Sequence, residues 1–164
     1  MNAEYKSIFW KQFGASIDTL EGAIKVCPDD MWSDRSRDPV FWQLAFHTLF
    51  WLDLYLTGSI EGFSPPEPFG LEELDPSGTY HDPPYTKEQL LTYVMYCRDK
   101  CKTTIESLDD TSSSRICEFR WGNATFTELL LYNMRHVQHG AAQLNVRLRQ
   151  EADTASRWIG RAAD

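Results

Sequence analysis

The chain has 164 residues, 42% of them hydrophobic and 24% charged, and a formal net charge of −8 at pH 7. That length fits one domain, 1–164, whose core needs no disulfide or metal staple. The mixture of apolar and charged residues excludes wholesale disorder. The excess of acid excludes a general nucleic-acid binder, which needs a basic face for the phosphates.

The beginning of the chain has no apolar signal core and passes straight into a helical pattern. Helix one is expected over 4–26, where Phe9, Phe13, Ile17, Leu20 and Ile24 recur at helical steps. Pro28-Asp29-Asp30 ends it. Helix two is expected over 38–57, with Asp38 as its cap, Pro39 at its first position and Gly58 as its stop. Its apolar run is interrupted by Gln43, His47 and Asp53 and is too short to span a bilayer. A cytoplasmic protein with no membrane partner is expected. Segment 59–85 follows and holds six of the eight prolines.

Helix three is expected over 86–108, opened by Thr86 and Gln89 as a capping box. Its stripe is Leu90, Val94, Cys97, Cys101, Ile105 and Leu108. Segment 120–123 reads as a turn with a packed Trp121. Helix four is expected from Thr125, with Thr125 and Glu128 as a second capping box and a stripe of Phe126, Leu130, Met134, Val137, Ala141, Leu144 and Leu148. A short helix over 154–160 would be anchored by Trp158. No alternation is long enough to build a sheet, and no repeat of 20–50 residues is visible.

Four amphipathic helices imply an all-α four-helix bundle. Helices two and three are joined by the Pro-rich segment 59–85. At about 3 Å per residue it can run the ~30 Å of a 20-residue helix. A long crossover therefore fits, and helices two and three need not be antiparallel neighbours. The segment reads as a packed lid anchored by Phe63, Phe69 and Tyr80. Cys27, Cys97, Cys101 and Cys117 form no C-x-x-C pair and read as buried reduced thiols. Arg147, Arg149, Arg157 and Arg161 read as helix-end and surface charges.

The four histidines carry most of the chemistry. On an ideal helix of about 3.6 residues per turn, His47 lies among Gln43, Phe50, Trp51 and Leu54 and points inward. His136 lies roughly 110° from the stripe through Val137 and Leu144, at its flank. Position 140, one turn on, is where a second histidine would complete a helical metal site. That residue is Gly140, which offers no ligand. His139 lies on the far side, toward solvent or a partner. Two imidazoles hold a metal weakly unless a further donor completes the shell. Asp53 is about 120° from His47 and is a poor third ligand; Asp99, Glu106 and His81 stay open.

The stretches Phe41-Trp-Gln-Leu-Ala-Phe-His47-Thr-Leu-Phe-Trp-Leu-Asp-Leu-Tyr-Leu56 and Arg135-His-Val-Gln-His-Gly-Ala-Ala-Gln-Leu-Asn145 resemble the DinB-like family of metalloenzymes. The resemblance covers most of the chain and includes the Arg157-Trp158 region. It implies a four-helix bundle of up-down-down-up connectivity. It also implies a divalent metal, zinc or nickel, on three histidines: one from helix two and two from helix four. His47 and His136 match two of those places, and Gly140 stands in the third. Some relatives use the metal to activate a low-molecular-weight thiol in S-transferase or isomerase reactions. Many pair as homodimers, and Trp42, Leu49, Leu52 and Leu56 on the far side of helix two would suit such packing.

Two readings stay open. In one the chain is a DinB-like bundle with an incomplete histidine site, binding a small-molecule ligand or a partner, with metal binding weak or absent. In the other it is a divalent-metal-dependent enzyme, a thiol-dependent S-transferase or isomerase, with His139, a loop residue or the substrate completing the shell. The substrate is not readable from the residues.

Overall fold

The computed structural model describes residues 2–78 and 81–163. Tyr80, expected as an anchor of the crossover, lies outside the described residues. The chain is mainly helical. Its elements are α1 (Ala3–Val26), α2 (Asp29–Trp32), α3 (Phe41–Thr57), α4 (Lys87–Ser107), α5 (Asp110–Ser114), β1 (Ile116–Phe119), β2 (Gly122–Thr125) and α6 (Phe126–Glu151). The four expected helices are α1, α3, α4 and α6. Each of α1 and α3 packs against both α4 and α6. The core lies between them and includes Phe13, Ile17, Leu20, Phe46, Leu49, Val94, Cys97, Leu130, Val137 and Leu144.

Local chemistry explains most helix starts. Thr86 accepts the Gln89 N–H, and the Gln89 side chain accepts the Thr86 N–H in return. Thr125 caps α6 by accepting the Glu128 N–H. The start of α3 differs from expectation. Helix begins at Phe41 rather than at Pro39. The Gln43 side chain takes the Val40 N–H, and Arg147 Nη1 from α6 takes the Pro39 carbonyl, so Asp38 and Pro39 stay outside the first turn. Gly58, in the left-handed conformation at φ 81°, ends α3.

Three expectations are corrected. An antiparallel hairpin, β1 with β2, precedes α6, with Cys117 opposite Ala124 and Phe119 opposite Gly122. Its inward residues, Cys117 and Ala124, are two positions of a four-residue alternation, too short to register as a strand pattern. Gly122, at φ 137°, makes the turn that the 120–123 stretch suggested.

No helix forms over 154–160. The segment is instead a strap across α1 and α6. The Ser156 N–H and hydroxyl both donate to Asn145 Oδ1, and the Ala162 N–H donates to the Lys11 carbonyl. These contacts tie the segment to α1 and α6. Trp158 is not the anchor: it is 80% exposed.

The third correction concerns α3. Trp42, Leu49, Leu52 and Leu56 are buried within this chain, so they offer no face to a second copy.

The crossover is packed against the bundle. Phe63 meets Phe50 edge-on, and Phe69 stacks on Tyr93 at 4.4 Å between centroids. The short 3-10 turn Glu72–Leu74 lies within it. The Tyr85 hydroxyl donates to Glu72 Oε1 and accepts the Gly70 N–H. All four cysteines are free and buried. Burial pushes the Cys27 thiol up to about 12 and raises the other three, so they behave as small apolar groups.

Candidate functional site

The site lies where α3, α6 and the crossover meet. His47, Trp51 and Tyr55 are successive turns of one face of α3. Tyr132 and His136 are successive turns of α6. The two imidazoles come together, with ring centroids 5.4 Å apart and planes at 63°. Tyr55 meets Tyr132 edge-on at 5.3 Å and His136 at 6.2 Å. Trp121, from the hairpin turn, stacks on Tyr132 at 4.6 Å and on Phe119 at 5.7 Å. The Tyr55 phenol is raised by burial and by the neighbouring Tyr132.

The crossover supplies a carboxylate. Glu73 Oε2 lies 2.6 Å from His47 Nδ1, and it also accepts the Trp51 indole N–H at 3.0 Å. The Glu73 side chain is only 7% exposed, against 40% for His47. A carboxylate oxygen only accepts, so Nδ1 carries the proton of this bond, and in the neutral ring Nε2 holds the lone pair that can accept or ligate. Two buried atoms here have no hydrogen-bond partner among the described residues: His136 Nε2 and Glu73 Oε1. Burial first, and His47 second, push His136 down to about 4, so its imidazole is neutral at pH 7.

Gly140 packs against α3. A Cβ added there would sit 2.8 Å from Thr48 Cγ2 and 3.1 Å from Thr48 Cβ, with Thr48 Oγ1 closer still. Thr48 thus fills the space that a side chain at 140 would use. The family model described as DinB superfamily matches residues 12–144. The chain belongs to the DinB superfamily. No curated protein and no solved structure matches it.

The three-histidine centre suggested by resemblance to the DinB family does not fit these residues. The third place is closed by Thr48. Among the described residues no group of three or more His, Cys, Asp or Glu side chains is disposed to hold a metal ion. His139 is exposed on α6 and lines a cleft of about 660 Å³ with Tyr132, Arg135, His136 and Trp158. His81 stacks on Tyr85, with Nδ1 2.5 Å from the Pro83 carbonyl oxygen. Asp99 and Glu106 are exposed on α4. Asp53 is fully buried and bound instead by Lys100 Nζ at 2.5 Å and the Tyr93 hydroxyl at 2.9 Å.

Sequence reading of this DinB-superfamily chain paired His47 with His136 and missed Glu73 and Thr48. Glu73 sits in a segment without periodicity, so nothing there indicates what it faces. Thr48 adjoins His47, but its role depends on how closely α6 approaches.

Proposed function

We propose that this DinB-superfamily chain is a small-molecule-binding bundle with an incomplete histidine site and weak or absent metal binding. The observation that carries it is the donor set: two imidazoles converge, and the carboxylate beside them is tied through Oε2 to His47 Nδ1 and the Trp51 indole. Two imidazoles alone make a weak metal site. The cleft beside His136, walled by Tyr132, Met134 and Trp158 with Gln12 and Arg135 at its sides, supplies a partly apolar site with a few polar groups, as small ligands require.

The bundle reads as up-down-down-up. Cys97 lies at the Leu49 carbonyl and Lys100 at Thr57, so positions on α3 and α4 advance together. Asn133 bonds the Leu52 carbonyl while Gly140 packs on Thr48, so α3 and α6 run oppositely.

Elemental analysis of protein purified without chelator tests the reading. Metal well below one equivalent per chain, unchanged in His47→Ala, is expected. One tightly held equivalent that His47→Ala removes would overturn it. That result would favour the second reading, a zinc- or nickel-dependent thiol S-transferase or isomerase. The two orphaned buried atoms, His136 Nε2 and Glu73 Oε1, support that reading, because such atoms call for a bound group or water.

A further inference from the structure

We propose that Thr48 and Gly140 are a coupled pair that closes the third donor position of a latent divalent-cation site, whose other two donors, on His47 and His136, remain in place. This rests on the reading that the native chain lacks a third protein donor.

The closing contact is short and stiff. Thr48 is fully buried, and its hydroxyl donates to the Leu44 carbonyl at 2.7 Å. A β-branched side chain tied to its own helix has little freedom to turn aside. A side chain at 140 meets Thr48 Oγ1 first, then Cγ2 at 2.8 Å, then Cβ at 3.1 Å. A histidine placed there alone is driven away from the site. Alanine at 48 removes the two nearest atoms and leaves only Cβ.

The remaining donors do not depend on position 140. Glu73 and Trp51 hold the His47 ring through Nδ1 and leave Nε2 free. A carboxylate behind a histidine in this way fixes its tautomer and orientation. His136 Nε2 is buried without a partner, and its ring lies 5.4 Å from that of His47. Positions 136 and 140 are one turn apart on α6, the spacing at which two histidines share a helical metal site. Three imidazoles and an open position suit zinc.

The test measures zinc affinity by competition with a chromophoric chelator for the native protein, Gly140→His, Thr48→Ala and the double variant, with circular dichroism to confirm the fold. The double variant is expected to bind about one zinc per chain, roughly tenfold or more tighter than the other three. Adding His47→Ala to the double variant is expected to abolish that gain. Gly140→His binding as tightly as the double variant would show that Thr48 is no barrier and overturn the proposal. A folded double variant binding no tighter than native protein would overturn it too. Should the double variant not fold, Thr48→Ala with Gly140→Cys, a smaller thiolate donor, carries the same expectation and the same refutation. Tight zinc in the native protein would overturn the proposed function instead, and the comparison of Gly140→His with the double variant would still decide this proposal.

Discussion

The Glu73 carboxylate grips His47 from the crossover, 2.6 Å from Nδ1, and takes the Trp51 indole N–H on the same oxygen. One side chain thus fastens the Pro-rich segment to α3. Glu73→Ala is expected to lower stability by about 1.5–3 kcal/mol, the range for hydrogen bonds to a charged group. Urea denaturation measures the loss, and a changed Trp51 emission should accompany it. Glu73→Gln keeps an acceptor for Trp51 and should cost less. Unchanged stability in Glu73→Ala would show that the crossover is held elsewhere.

His136 should make stability depend on pH. Its value, about 4, lies below the ordinary 6.5. As pH falls, the unfolded chain takes up this proton first, so stability is full above 6.5 and declines as pH falls from there toward 4. The slope contributed is at most about 1.4 kcal/mol per pH unit. Denaturation of native protein and His136→Gln across that window should show a flatter profile for the variant.

Asp53, fully buried, pairs with the partly exposed Lys100 between α3 and α4, with the Tyr93 hydroxyl completing the carboxylate's shell. Lys100→Met strands that carboxylate and is expected to cost about 3–5 kcal/mol. Adding Asp53→Leu removes the stranded charge and should recover much of the loss. A double variant as unstable as the single one would refute this account.

The strap at the end of the chain predicts opposite behaviour at two neighbouring places. Trp158→Ala should stay within about 0.5 kcal/mol of native stability, because its side chain is mostly in solvent. Gly14→Leu should cost about 1–3 kcal/mol, because its Cβ would come 2.6 Å from Ala162 Cβ. Thermal unfolding of the two variants checks both directions.

Reading residues in order located α1, α4 and α6 closely, because periodic stripes and caps such as Thr86 with Gln89 act within a few residues. Helical phase turned His47 toward the bundle and set His136 at the flank of its stripe; their pairing came from the resemblance to the DinB-like family, and the fold brings the two rings to 5.4 Å. It failed at Asp38, where a local cap rule yielded to Arg147 reaching from α6, and at 154–160, where the chain is a strap tied to Asn145 and, just beyond, at Ala162, to the Lys11 carbonyl.

What the order of residues settled, then, was the helical architecture and the glycine at 140. Those follow from short-range physics: side-chain period, capping and conformational preference. Folding decided what surrounds the histidines. Glu73 is 26 residues from His47, and Gly140 touches Thr48 from another helix. Contacts of that kind depend on how far apart packed helices sit and where a proline-rich segment crosses them, and no local pattern encodes either distance.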